Sequence, residues 1–422
     1  MNASIAHADV IFNVNTVADQ IDLDVSDGIC QTSTGACSLR AAIMQANHLT
    51  GPITTRIKLP AGTYTLTRPV AGGNGEDRGD LNLTSPLSAG QSIVIEGATA
   101  STSIIDANQI DRVLSIELDR VVTLSKVTVR GGYRTDMPGG GIFSEGALTL
   151  LDSIIEANAS DSGGGGVHSK GTLDIRRSIL RSNTGNSGGA AYVAGVGTIR
   201  DSSLYGNASH VVGGAIAVSF FPEPATLVIL NSTISNNAAN LNGGGIYNEG
   251  NTFLYNTSII GNDADHDRDQ LGGVGGGVNN HAGSRLVAVN SLIADNTILD
   301  APIPDDCNGQ LEVYGWNLLS DFTACTFSGN GVAGRGYVSG NTIGPLTDNG
   351  GPTPTHALLA GSEAIDTTTV QGCIDDSLAA LATDQRGAPR IAGLRCDVGA
   401  FEYDSVVPTP DLIFRDGFDS GM

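Results

Sequence analysis

The chain has 422 residues and a formal net charge of -22, from 44 acidic and 22 basic side chains. Clusters of Lys and Arg able to neutralise phosphates are absent, so nucleic acid is excluded as a partner, and the acidity disfavours a general hold on anionic polysaccharide. Glycine accounts for 57 residues and aromatics for only 5%, which excludes one large aromatic core and points to many thin layers of Val, Ile, Leu and Ala.

From the N-terminus, no signal peptide is visible, and Met1 precedes a stretch that reads as a mature start. Asp22, Asp24 and Asp27 form a weak cation candidate just before Cys30. Ser38 to Asn47 is the best helix in the chain, with Ser38 as N-cap and Leu39, Ala42, Ile43 and Ala46 on one face. It suits a lid across the first layer of a stack, and residues 1–65 are read as an N-terminal cap. The six cysteines fall as close pairs, Cys30/Cys37, Cys307/Cys325 and Cys373/Cys396. The even count suggests disulfides formed in an oxidising compartment; spacing alone leaves other pairings open.

Between about residues 120 and 300 three landmarks recur in fixed order. A glycine cluster precedes an apolar residue, as in Gly139-Gly140-Gly141-Ile142 and Gly164-Gly165-Gly166-Val167. A short alternating strand such as Leu148-Thr149-Leu150 follows, then a Ser-x-Ile-type strand ending in Asn, read as Ser153 to Asn158, Ser178 to Asn183, Ser203 to Asn207, Ser232 to Asn237, Ser258 to Asn262 and Ser291 to Asn296. The asparagines are 25, 24, 30, 25 and 34 residues apart. Three period-two strands per repeat describe one coil of an all-β, right-handed parallel β-helix over residues 66–343. The turn asparagines then stack as an amide ladder. The sequons at Asn158, Asn207, Asn231 and Asn256 would be inaccessible in it.

Insertions are expected near 263–273 and 300–328, the second holding the Cys307/Cys325 pair. The first carries Asp263, Asp265, Asp267 and Asp269 at alternate positions, hard oxygen ligands suited to Ca²⁺ or a solvated acidic loop. Alternation along the strand after each glycine cluster gives two outward columns. One runs Phe143, His168, Tyr192, Ala217, Tyr247, Asn279; the other runs Glu145, Lys170, Ala194, Ser219, Glu249, His281. Aromatic rings beside polar groups suit a sugar surface, although β-strands favour such rings in any case. Glu145 and Glu249 lie four coils apart, about 19 Å at the spacing of stacked strands, too far to act as the carboxylate pair of a glycoside hydrolase. Glu145 should instead pair with Lys170. His168, Lys170 and Tyr192 on neighbouring coils form a workable base and acid set for a polysaccharide lyase.

The ends carry longer signatures. The stretch Val14-Asn15-Thr16-Val17-Ala18-Asp19 through Cys37-Ser38-Leu39-Arg40-Ala41-Ala42-Ile43 to Leu59-Pro60-Ala61-Gly62-Thr63-Tyr64 resembles the CSLREA domain of secreted bacterial proteins, with Ala41 where the signature has Glu. In residues 344–403, Asp348-Asn349-Gly350-Gly351-Pro352-Thr353-Pro354-Thr355-His356, Asp384-Gln385-Arg386-Gly387 and Asp397-Val398-Gly399-Ala400-Phe401-Glu402 resemble a choice-of-anchor Q module. These resemblances imply an exported, surface-associated β-helix and no particular reaction. Residues 344–403 are accordingly read as a C-terminal cap. Residues 404–422 form a linker and a tail whose Ile413-Phe414-Arg415-Asp416-Gly417-Phe418-Asp419 resembles short C-terminal tails of exported gammaproteobacterial proteins. The expectation is a secreted or bacterial cell-surface protein that binds polysaccharide or a cell-surface glycan, adhesin-like. The alternatives are a polysaccharide lyase and a self-assembling surface protein.

Overall fold

The computed structural model describes residues 8–70, 75–267, 272–298, 303–334, 342–368 and 372–408. One coil comprises the strands Ile142–Ser144, Ala147–Leu151, Ile154–Glu156 and Ala159–Ser160. Each pairs in parallel with its counterpart in the next coil, Ile142 opposite Val167, Leu148 opposite Leu173, Ile155 opposite Leu180 and Ala159 opposite Thr184. We call the four resulting sheets I to IV in that order. The architecture is a right-handed parallel β-helix, as the repeat predicts, with a fourth, very short strand after each ladder asparagine that the three-strand reading lacks. Ile142, Leu148, Leu150 and Ile155 point inward and are at most 1% exposed, each contributing roughly 1.5–3 kcal/mol by burial. The glycine clusters have a steric cause: a Cβ on Gly141 would lie 2.5 Å from the Gly166 carbonyl oxygen and 2.9 Å from the Asn158 amide.

The ladder forms as expected. Asn158 Nδ2 donates to Asn183 Oδ1 at 3.0 Å, and the chain continues through Asn207, Asn237 and Asn262 to Asn296 at 2.9–3.0 Å per step. The serine landmark differs at two coils. The stacked residues are Ser153, Ser178, Ser202, Ser232, Thr257 and Ser291, joined where Ser178 N donates to Ser202 Oγ at 3.1 Å and Thr257 N to Ser291 Oγ at 3.2 Å. Ser203 and Ser258 therefore point outward, one residue off the expected register.

The region read as an insertion at 300–328 is mostly another coil. Cys307–Tyr314 runs through sheets I and II as one strand, pairing with Val278 and with Val287, and Trp316–Leu319 continues sheet III. The landmarks fail here because Asp306 replaces the ladder asparagine and no glycine cluster precedes the strand. Cys325 is corrected with it. Expected in an inserted loop, it opens the strand Cys325–Ser328, which adds a further rung to sheet II with Cys325 opposite Gly309. Cys307 is buried and Cys325 half-buried against the core, so their disulfide joins two successive layers of the stack and does not close an exposed loop.

At the N-terminus the helix Leu39–His48 forms with Ser38 as its cap, Oγ accepting from Ala41 N at 3.1 Å. Leu39, Ala42, Ile43 and Ala46 join the core with Ile57, Leu59, Leu81 and Leu83. Buried Arg40 pairs with Asp19 at 2.6 Å and donates to the carbonyls of Gly79 and Asp80. Ala8–Asn13 pairs with Ile53–Leu59, extending sheet II by a strand the sequence reading did not find. The disulfides are Cys30–Cys37, Cys307–Cys325 and Cys373–Cys396, the nearest-neighbour pairing, with Cα separations of 5.2, 5.6 and 6.0 Å.

The described parts of residues 344–403, 344–368 and 372–403, pack along the flank, over the outer face of sheet III. Ile260, Leu292 and Leu318 from that sheet form a second core with Leu358, Ala364, Val398 and Phe401. In the turns between sheets II and III, Asp152, Arg177, Asp201, Asn231, Asn256 and Asn290 have φ of 45–54°, a left-handed conformation that Asn and Asp adopt most readily among non-glycine residues. Three of these grip the returning chain through Nδ2: Asn231 to Thr383 O at 3.2 Å, Asn256 to Ile374 O at 2.8 Å and Asn290 to Gly372 O at 3.1 Å. Asn231 and Asn256 are thus buried beneath this segment, whereas Asn158 and Asn207 are buried in the ladder. The signature residues act structurally. Gln385 bonds Thr233 Oγ1 at 2.6 Å and Ser203 Oγ at 2.8 Å, and Arg386 holds Asp384 while lying 3.6 Å from the Phe401 ring centre.

Candidate functional site

The sheet I column stacks in the expected register, Phe143 beside His168, His168 beside Tyr192, then Ala217, Tyr247 and Asn279. The rings of Phe143 and His168 lie 5.6 Å apart, and those of His168 and Tyr192 lie 4.6 Å apart and nearly parallel at 2°. The column is not the open face the alternation suggests. His168 is 7% exposed, Ala217 2% and Asn279 6%, while Phe143, Tyr192 and Tyr247 are half-buried. Gly163 passes so close that a Cβ there would meet His168 Nδ1 at 2.9 Å. Burial, then Lys170 and Arg112, push the imidazole down to about 3. Burial thus favours the neutral imidazole, which the structure stacks between Phe143 and Tyr192. Lys170 pairs with Glu145 at 3.0 Å, as its position predicts. Tyr247 donates to Glu249 Oε1 at 3.1 Å and is pushed up to about 12 by burial and that carboxylate. His281 is exposed.

The described aspartates of the alternating set, Asp263, Asp265 and Asp267, are not gathered as cation ligands. Asp263 sits in sheet IV and accepts from Thr297 Oγ1, Asp265 is buried and Asp267 exposed, while Asp269 lies outside the described residues. Asp22 and Asp24 cap local turns, accepting from the backbone N–H of Gln31 and of Ser26. Among the described residues, no three His, Cys, Asp or Glu side chains converge on a metal position.

A cleft of about 420 Å³ lies instead on the outer face of sheet II. Its floor is built from two columns, Phe253 beside Val287 and Tyr255 beside Val289 beside Tyr314. Its wall is the segment carrying Gly372, Ile374 and Leu378, pinned by the Asn256 and Asn290 amides, the Cys373–Cys396 disulfide and an Arg200–Asp376 ion pair of 2.8 Å. Arg285 donates to both oxygens of Glu312, at 2.8 and 3.2 Å, and lies 5.2 Å from the Phe253 ring centre. Tyr314 donates to Glu312 Oε1 at 2.5 Å. These bonds, Arg285 first, hold Glu312 below the usual carboxylate range. Accepting from Tyr314 makes Glu312 push that phenol upward, and burial followed by Asp376 does the same to Tyr255.

Where sheet I turns into sheet II one coil before Phe253, the loop after Ser219 exposes Phe220 by 60% and Phe221 by 79%. Two such rings ahead of Pro222 and Pro224, within the 30-residue interval, were the available signal for this loop. Phe253 and Tyr255 were equally legible, since the alternation rule applied to the second strand of each repeat puts them outward, whereas Tyr314 lies in the stretch read as an insertion. The wall was not legible, because it comes from more than a hundred residues further along the chain than Phe253.

No family model and no curated protein matches the chain. A solved structure described as the crystal structure of pectate lyase Pel9A is similar in three dimensions, with a TM-score of 0.52 and 16% sequence identity over 95% of this chain and 98% of that one. At that identity the likeness speaks for the fold alone, and with the strand registers it establishes this chain as a right-handed parallel β-helix.

Proposed function

We propose that this protein is an exported, adhesin-like β-helix that holds extended polysaccharide in the sheet II cleft. The observation that carries this reading is the cleft itself, a concave space with three aromatic rings, few polar groups and a wall braced by the C-terminal segment. Ring faces beside fixed hydroxyls suit the alternating apolar and hydroxylated surfaces of sugars. Export is consistent with the pairing of all six cysteines, since disulfides persist in oxidising compartments. The CSLREA-like and choice-of-anchor-like ends favour a place at the bacterial surface.

A polysaccharide lyase is the second reading, favoured by the likeness to a pectate lyase. The cleft argues for binding over catalysis. Glu312 is shifted down and the two tyrosines up, so none of these groups is poised to exchange protons near neutrality. Electrophoresis through polysaccharide-containing gels tests the proposal. Wild type should be retarded, and Phe253→Ala and Tyr314→Ala should each be retarded markedly less. Accumulation of unsaturated sugar products on incubation with the same polysaccharides would support the lyase.

A further inference from the structure

Resting on that reading, we infer that the cleft is built for a neutral polysaccharide and discriminates against polyuronates. The only charged side chain lining it among the described residues is Arg285, and this guanidinium is already committed. It spends two donors on Glu312 and covers the Phe253 ring. Glu312 takes two of the five guanidinium donors and balances its charge, so a uronate carboxylate bound there would be a second carboxylate sharing one positive charge. Tyr314 secures Glu312 from the other side, so the carboxylate is not free to swing away.

The surroundings point the same way. Asp375 and Asp376 lie near enough to Tyr255 to push its phenol upward. The adjacent cation, Arg200, is neutralised by Asp376 at 2.8 Å, and the whole chain carries -22. Among the described lining residues, a polyanion approaching this face meets no cation without an acidic partner, and it meets a repulsive mean field. The apolar floor, by contrast, is continuous along the solenoid axis. Val228, Phe253 and Val287 follow one another coil by coil, about 4.8 Å apart, and the exposed Phe220 and Phe221 sit in the loop that leads into the Val228 strand. A neutral, extended glycan lying parallel to the axis crosses the rings in sequence and asks only for hydroxyl partners.

The test is affinity electrophoresis of the full chain in gels containing galactomannan, mixed-linkage β-glucan, polygalacturonate or alginate, at low salt and in 0.5 M NaCl. At least one neutral gel should retard the protein equally at both salt concentrations. Phe253→Ala should weaken that retardation about tenfold and Phe221→Ala by a smaller factor, each with an unchanged melting profile. Arg285→Ala/Glu312→Ala, which removes the pair together, should gain no retardation in polygalacturonate. Preferential, salt-sensitive retention by either polyuronate would overturn the inference and leave polysaccharide binding intact. Retardation in none of the four gels by folded protein would overturn the binding reading and the inference with it.

Discussion

Asn296 Nδ2 donates to Asp306 Oδ1 across 2.8 Å, so the ladder of carboxamides ends on a carboxylate. The substitution fits the position. Within the ladder each asparagine passes a hydrogen bond on, whereas Asp306 only accepts, from Asn296 N and Nδ2, Ser320 N and Oγ, and Asp321 N. Burial nonetheless outweighs these bonds and pushes the carboxyl up to about 6.

A folded-state value above the unfolded one means that the native chain holds its proton longer. The stabilising contribution of Asp306 is therefore full below about pH 4 and disappears as pH rises through 6. Asp306→Asn removes the titration. The stability of wild type relative to this variant should grow by about 2–3 kcal/mol between pH 7 and pH 4, read from urea unfolding at each pH. A pH-independent difference would show that the carboxyl titrates alike in both states.

His168 has the opposite sign. Its folded-state value of about 3 lies below the ordinary 6.5, so its contribution is full above pH 6.5 and is lost as pH falls toward 3. His168→Phe keeps a ring between Phe143 and Tyr192 and cannot take up a proton. It should resist unfolding at pH 4 better than wild type by on the order of 3 kcal/mol, with a smaller difference at pH 7. Polysaccharide retention should be unchanged, because the ring lies on sheet I.

Inside the ladder, Asn207 donates to Leu180 O and Asn237 Oδ1 at 2.9 Å and accepts from Asn183 N and Nδ2 at 3.0 Å. Asn207→Ala leaves those partners buried and unmatched, at about 2–4 kcal/mol. Asn207→Asp should cost more, since a carboxylate would face the Asn237 oxygen as acceptor against acceptor. Equal unfolding midpoints for the two variants would contradict a directional ladder.

In the cleft, the downward shift of Glu312 and the upward shifts of Tyr255 and Tyr314 keep charge constant through neutrality. Retention of polysaccharide should therefore change by less than about twofold between pH 6 and pH 9. A bell-shaped profile over that range would reveal a titrating group in contact with the ligand.

What the sequence determined by itself is the coil. Gly139 to Gly141 had to lack side chains because backbones meet there, and the 25-residue return of Asn158 at Asn183 set the stack; both are local requirements that recur from coil to coil up to Asn296. The same periodicity placed Phe143, His168 and Tyr192 in one column and paired Glu145 with Lys170. It misplaced Ser203 and Ser258 by one residue. It also read residues 300–328 as an insertion and Cys325 as part of a loop, because Asp306 performs the ladder's role with a different side chain. Only the tertiary structure decided which outward columns stay open. Alternation says that His168 and Phe253 both point out. The close approach of Gly163 buries the first, and the return of residues 372–378 along Asn256 and Asn290 turns the face beside the second into a cleft. Those contacts join segments distant in the chain, and no local period encodes them.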